Sequence, residues 1–180
     1  MISQSGRQRL PGFLFENRED NSMFRKMRRF KQQLSEEKCI QILNEQPRGV
    51  LSMIGDDGYP YGIPMTHWYS EKDGKIYFHC AKEGHKIDAL NACNKVSFCV
   101  TDTGFRRSGE WALNISSVVV FGRISTVSDE DKKREICINL CRKFTDDENY
   151  IRKELASAFS RVNCLELEIE HMTGKLVNES

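Results

Sequence analysis

Apolar and polar residues alternate in several short segments of the chain, which is the pattern of half-buried strands. The pattern is cleanest at Leu165, Leu167 and Ile169, which alternate with glutamates. Strands are predicted at residues 49–54, 61–69, 76–80, 96–100, 117–127 and 165–170. Because the Asp56-Asp57-Gly58 turn joins the first two as a hairpin, the sequence predicts a mostly β fold with helices, a small six-stranded antiparallel barrel.

Four helices are predicted between these strands from capping residues and from apolar positions three to four residues apart. Ser35 is the expected N-cap of a helix that ends before Pro47, and Ser128 is the expected cap of the third helix. The second and fourth helices are placed at about 84–94 and 147–159. Pro60 and Pro64 lie in the second strand, and this favours a sheet edge because proline has no N–H to donate.

Length and charge limit the classes of function. The 180 residues suit one domain, placed at 23–180 after a disordered tail at 1–22. A net charge of +1 gives no general attraction for nucleic acid or membranes, so neither is an expected partner. The basic segment Arg25–Lys31 leaves a nucleic-acid adaptor open as an alternative, although a solvated lead-in to the first helix is favoured. No signal peptide or apolar span is present, which predicts a cytoplasmic protein.

The seven cysteines are scattered, and their odd number favours buried thiols over a disulfide framework. Cys137 and Cys141 are four residues apart on a predicted helix, a spacing compatible with metal binding. No histidine pair or Cys-x-x-Cys accompanies them, so no metal site is predicted. His67 and His79 lie on successive strands and either converge on one pocket or stand separately on the outer face.

The strand at 76–80 leads into Gly84, His85 and Lys86 at the start of a helix. Helix N-termini favour anions, so this is a candidate phosphate site, with an ordinary strand-turn-helix as the alternative. No Gly-x-Gly-x-x-Gly or Walker sequence is present, which excludes the usual dinucleotide and phosphate-loop folds.

Four segments together carry a family resemblance: 56–65, 76–88, 117–123 and 168–175. In their order and spacing, the chain from about residue 23 to 175 resembles the FMN-binding split β-barrel superfamily of pyridoxamine 5'-phosphate oxidase, and within it the 5-nitroimidazole-resistance (Nim) proteins. The resemblance implies a homodimer with FMN at the subunit interface. It also implies that the cofactor-binding residues are Met65, Thr66, His67, Trp68, His79, Cys80, Lys82, His85, Lys86, Trp111, Ser117, Met172 and Lys175.

By the same resemblance, His79 is the candidate catalytic proton donor, and the expected function is an FMN-dependent oxidoreductase. Electrons would pass from NAD(P)H to a small flat acceptor such as a nitroaromatic. Oxidation of pyridoxamine phosphate is not expected, because the basic substrate-binding residues of that oxidase are not matched at Pro64–His67. The alternative is a non-enzymatic flavin, haem or deazaflavin carrier on the same barrel, since a fold does not determine function.

Overall fold

The alternating segments of the sequence form the strands of one antiparallel sheet in a computed structural model that describes residues 24–178. The tail predicted at 1–22 lies outside the described residues. The strands are β1 (Arg48–Ile54), β2 (Pro60–Thr66), β3 (Trp68–Ser70), β4 (Lys75–Ala81), β5 (Lys95–Thr101), β6 (Phe105–Arg106), β7 (Leu113–Thr126) and β8 (Val162–Asn178). The mostly β, antiparallel split-barrel class is confirmed, but with eight strands rather than six.

Two features account for the difference in strand number. The strand predicted at 61–69 is interrupted at His67 and becomes β2 and β3, while β6 is a two-residue strand within a predicted loop. The sheet order is β2-β1-β5-β7-β8-β4-β3, and β6 pairs with β7. Since only His67 separates β2 from β3, the chain itself connects the two ends of the curled sheet. β2 is an edge strand, as its prolines predict.

The helices are α1 (Glu36–Glu45), α2 (His85–Ala92), α3 (Glu130–Arg142) and α4 (Glu148–Ala158). The Ser35 cap is confirmed, because its side chain accepts from the Lys38 N–H at 3.3 Å. The Ser128 cap is wrong by one residue. Asp129 Oδ1 instead accepts from the Lys132 N–H at 2.7 Å, and a carboxylate also interacts favourably with the helix dipole.

The sheet separates two hydrophobic cores. The main core includes Leu51, Phe78 and Phe98 and receives side chains from α1 and α2. The second core lies between β4, β8 and the helices α3 and α4, and it includes Tyr77 and Cys164. Because successive strand residues point to opposite faces, β4 contributes Phe78 to one core and Tyr77 to the other.

Strands β7 and β8 are longer than predicted and pair along most of their length, with a register shift between Phe121 and Gly122. A Cβ on Gly122 would lie 1.9 Å from the Glu168 carbonyl oxygen, so only glycine allows this approach. The glutamates of β8 lie on its polar side. Two of them form ion pairs, Glu166 with Lys75 at 3.1 Å and Glu170 with Arg123 at 2.7 Å.

On the side of the sheet opposite the main core, the part formed by β1, β5, β7 and the second half of β8 is not covered by a helix of the described chain. Here Val50, Cys99, Val119 and Thr173 lie side by side on β1, β5, β7 and β8, and we call this surface the outer face. Phe24 covers one part of it by stacking on the His171 ring at 4.7 Å. The basic residues that follow Phe24 are exposed and contain only one short 3-10 turn, at Phe30–Gln32.

All seven cysteines are free thiols, and four of them are buried, which confirms the prediction that they do not form a disulfide framework. Across residues 24–178, no helix is both long and apolar enough to cross a membrane.

Candidate functional site

The start of α2 is the clearest candidate for an anion site. Its N-cap, Gly84, has φ of 119°, a conformation that strongly favours glycine, and provides no capping side chain. The first turn is closed by Ile87 N and Asp88 N, which donate to the Gly84 carbonyl at 2.8 and 3.2 Å. Within the described chain, the backbone N–H groups of His85 and Lys86 have no acceptor. Side chains cap α1, α3 and α4, whereas no described side chain caps the start of α2, so its free N–H groups are open to a ligand.

The His85 side chain is held beside this helix start by the β1–β2 hairpin. Its ring stacks on Tyr61 with centroids 4.4 Å apart and planes 13° apart. Its Nε2 lies 3.4 Å from Asp56 Oδ2. The sequence analysis did not assign a role to Tyr61 or Asp56. The hairpin turn was the available signal, but nothing in the sequence shows that this turn reaches α2.

Lys86 lies near three other predicted residues. Its Nζ lies 3.4 Å from the sulfur of Met65 on β2. Its charge helps lower the pKa of His79 and opposes the increase that burial causes in the pKa of the Cys80 thiol. The structure therefore places Met65, His79 and Cys80 near the same cation.

His79 and Cys80 nevertheless lie on opposite faces of β4. Cys80 belongs to the main core, whereas His79 is exposed beside α3 and α4. His79 lines a cavity of about 90 Å³. The other residues that line it are Cys137, Cys141, Glu154, Leu155, Ala158, Phe159 and Val162. Partial burial, assisted by Lys86, lowers the pKa of His79, so its imidazole is neutral at pH 7.

His67 does not share a pocket with His79. It is fully buried, its Nε2 lies 2.9 Å from the Leu43 carbonyl oxygen, and its ring meets Phe98 edge to face at 4.9 Å. Burial lowers its pKa to about 4, with a contribution from the Lys143 ammonium. The sequence analysis placed this residue either in a pocket shared with His79 or on the outside of the barrel, and both interpretations are therefore wrong. His67 points inward where β2 ends and β3 begins.

The predicted flavin strand, residues 65–68, is not one continuous surface. Met65 is buried, Thr66 is half-buried at the end of β2, and His67 faces the main core. Trp68 belongs to the second core, where it stacks on Tyr77 at 5.3 Å under the Lys132 ammonium. Ordinary strand alternation is the physical reason, because Met65 and His67 point toward the main core and Trp68 points to the opposite side of the sheet.

The remaining predicted residues lie elsewhere. Ser117 and Lys175 are direct cross-strand partners on the outer face. Met172 is three residues from Lys175 and packs against the main core instead. Trp111 is 72% exposed in the loop before β7, and Lys82 is exposed before α2. No hydrogen bond, ion pair or ring contact between described residues joins these side chains to the start of α2.

Comparison with known protein families gives one match over most of the chain. Residues 35–176 match the family model described as pyridoxamine 5'-phosphate oxidase. The chain belongs to the pyridoxamine 5'-phosphate oxidase family. Among curated proteins, no significant sequence match is found.

Solved structures with this fold include members with different described roles. A candidate 5-nitroimidazole antibiotic resistance protein from Bacteroides thetaiotaomicron is 20% identical with a TM-score of 0.67, over 81% of this chain and 87% of that one. A FAD-binding protein from Mesorhizobium loti is 25% identical with a TM-score of 0.58, over 81% and 96%. A FAD- and haem-binding protein from Mycobacterium smegmatis is 23% identical with a TM-score of 0.63, over 83% and 74%.

For a member of this family, the described side chains offer two kinds of chemistry. The α2 start offers two backbone donors, one ammonium and one imidazole, which is a donor set suited to a phosphate. His79, on the face of β4 opposite Cys80, offers a neutral imidazole beside an apolar cavity. Within residues 24–178, no cluster of three or more His, Cys, Asp or Glu side chains is arranged to hold a metal ion.

Proposed function

We propose that this chain is a flavin-dependent oxidoreductase that takes electrons from NAD(P)H and reduces a small flat acceptor, such as a nitroaromatic, with FMN as its cofactor. The observation that carries the proposal is the uncapped start of α2 with His85 and Lys86 beside it. Membership in the pyridoxamine 5'-phosphate oxidase family and the likeness to a FAD-binding protein support a flavin.

The residues at α2 fit the phosphate of a flavin mononucleotide. Gly84 has no atom within 4 Å of the position that a Cβ would occupy, so the space beside the helix start is open. Two free N–H groups and the Lys86 ammonium would donate to phosphate oxygens. His85, fixed against Tyr61, would supply a further donor. His85 and Lys86 are the first two residues of α2, where the helix dipole favours negative charge.

A bound flavin would supply the transfer of electrons between nicotinamide and acceptor. The chain's own part is to hold and orient the reactants. To deliver a proton to the acceptor, His79 would use its imidazolium form, which its lowered pKa makes the minor form at pH 7, so this step should speed up as the pH falls. Met65 would be held in place by Lys86, and Thr66 would present its hydroxyl at the end of β2.

A homodimer is part of this proposal. The outer face exposes apolar side chains in mid-strand, including Val50 at 42% and Phe121 at 38%. Contiguous apolar surface of this kind typically marks a protein–protein contact. A second copy docked there would bring its Ser117, Lys175 and Trp111 to the site, and these are among the predicted residues that the single chain leaves apart from α2.

The first experiment is the visible absorption spectrum of the purified protein, with and without added FMN or FAD, followed by anaerobic addition of NADPH or NADH. We expect a yellow protein that binds FMN and bleaches with the nicotinamide. Flavin that binds but stays oxidised would favour the carrier alternative. A Soret band would favour a haem protein, and no flavin binding would overturn the cofactor assignment.

A substitution at the phosphate site tests the role of α2. We expect Lys86→Gln to weaken FMN binding by about tenfold, because one charge-assisted hydrogen bond contributes roughly 1.5 kcal/mol. Lys72→Gln is the matched control, since Lys72 is an exposed lysine in the β3–β4 turn. Fluorescence titration of FMN measures both. Equal affinities for the two variants would remove Lys86 from the site.

The proton-donor role of His79 predicts a different result. His79→Ala should lower kcat for the acceptor by about a hundredfold, the lower end of the usual contribution of general acid–base catalysis, while FMN remains bound. Glu154→Gln, which changes another residue that lines the same cavity, is the control and should retain its rate. Turnover of His79→Ala at the wild-type rate would dismiss the role.

A further inference from the structure

Two cysteines face each other in the second core, outside the proposed flavin site. Cys137 on α3 and Cys164 on β8 have their sulfur atoms 3.8 Å apart. Cys164 is fully buried and Cys137 is 8% exposed. A disulfide has an S–S length of about 2.05 Å, so the pair would have to close by less than 2 Å, roughly what small rotations of the two side chains supply.

The two thiols have different roles because their surroundings differ. A hydrogen bond from Cys164 lowers the pKa of Cys137, with help from the Arg134 guanidinium. The same bond and burial raise the pKa of Cys164. Of the two thiols, Cys137 therefore loses its proton more readily, and the thiolate is the form that reacts with oxidants.

Access to the pair is also asymmetric. Cys137 lines the cavity beside His79, together with Cys141 and Glu154, whereas Cys164 does not line it. A small molecule in this cavity would meet the sulfur of Cys137 first. Cys164 lies behind it as the direct cross-strand partner of His79. The arrangement is that of an attacking thiol backed by a resolving thiol.

We propose that Cys137 and Cys164 are a dithiol site that a small hydroperoxide such as hydrogen peroxide converts to a disulfide. The Cys137 sulfur attacks one peroxide oxygen, the O–O bond breaks, and the leaving hydroxide takes a proton to become water. Cys164 then attacks the resulting sulfenic acid, the S–O bond breaks, and a second water leaves. The two thiols lose two electrons and two protons, and the peroxide gains both.

The disulfide would tie α3 to β8 directly beside His79. It closes a covalent loop across 27 residue positions, so the oxidised protein should be more stable to heat than the reduced protein. It would also hold the wall of the cavity in place. The proposal does not depend on flavin binding, because every residue that it uses lies in the second core or its cavity.

Peptide mapping of the whole wild-type chain tests the proposal without any substitution. The reduced protein is treated with hydrogen peroxide, its free thiols are blocked with N-ethylmaleimide, and it is digested under non-reducing conditions. We expect a linked peptide that joins Cys137 to Cys164, lighter by two hydrogen atoms and released by dithiothreitol. A link between Cys137 and Cys141, oxidation of Cys137 to sulfinic acid without a link, or an unchanged pair would overturn the proposal.

Two variants assign the individual roles. In Cys164→Ala, Cys137 should accumulate as a sulfenic acid that dimedone traps, and the linked peptide should be absent. Cys141→Ala is the matched control because Cys141 lines the same cavity one helical turn away, and it should form the linked peptide as the wild type does. Loss of the link in Cys141→Ala would contradict the assignment. If Cys164→Ala does not fold, the peptide map of the oxidised wild-type protein is the deciding test of the disulfide.

Discussion

Among single residues, His67 is the one whose surroundings most clearly determine its protonation state. Its imidazole lies in the main core where β2 meets β3, and its Nε2 is 2.9 Å from the Leu43 carbonyl oxygen. The other ring nitrogen has no partner among the described residues. Since Lys143 Nζ also donates to the Leu43 oxygen, at 3.1 Å, a second positive charge at His67 would be unfavourable. The residue is therefore a neutral structural link between α1 and the sheet.

This environment predicts an acid-sensitive fold. Burial lowers the pKa of His67 to about 4, so the unfolded chain takes up the proton at a higher pH than the folded chain. The contribution of neutral His67 to the free energy of unfolding is complete above about pH 6.5 and is lost as the pH falls toward 4. The free energy of unfolding should fall by about 3 kcal/mol over this range. Urea unfolding at several pH values between 7 and 4 measures it.

The variant His67→Gln isolates this contribution from the carboxylates that titrate in the same range. Its amide can donate to the Leu43 carbonyl and does not ionise. The difference in unfolding free energy between wild type and variant should shrink or change sign as the pH falls to 4. A difference that stays constant from pH 7 to 4 would show that His67 does not titrate with folding.

At the scale of elements, local patterns predicted most of the fold. The apolar alternation located β1, β4 and β5 to within a residue or two, and Ser35 fixed the start of α1. These signals work because a strand or a cap is determined by neighbours in sequence. The length of β8 was underestimated because its second half pairs with β7 around the Gly122 register shift, which depends on a residue distant in sequence.

The candidate site was predictable only where it is local. The α2 start follows from Gly84, His85 and Lys86 alone, and the structure has the strand, turn and helix that these residues predict. The contacts of His85 with Tyr61 and Asp56 depend on how the β1–β2 hairpin lies against α2. The same holds for Cys137 and Cys164, which a helix and a distant strand bring together. Contacts between side chains of different elements depend on how the elements pack, and the periodicity of the sequence does not predict them.

At the scale of the whole molecule, the side of the sheet opposite the main core is covered unevenly. Helices α3 and α4 complete the second core over β3, β4 and part of β8, while no helix of the described chain covers the outer face on β1, β5 and β7. Apart from Lys175, the residues named on that face are small, apolar or uncharged, whereas a solvated strand surface would be mostly charged. Its exposed Val50 and Ile54, at 42% and 48%, lie on β1, an interior strand of the sheet. The homodimer proposed above would cover these side chains.

The proposed homodimer predicts that one charge on the outer face dissociates it. Val50→Asp should convert the protein to a monomer in analytical ultracentrifugation, because a carboxylate buried in an apolar interface without a partner costs several kcal/mol. The site that needs both copies should then lose its FMN. Phe144→Asp is the matched control, since Phe144 is 60% exposed beyond the end of α3 and away from the outer face. If both variants sediment as the wild type does, the outer face is not the dimer contact; if Val50→Asp is a monomer that still binds FMN, the flavin site is complete within one chain.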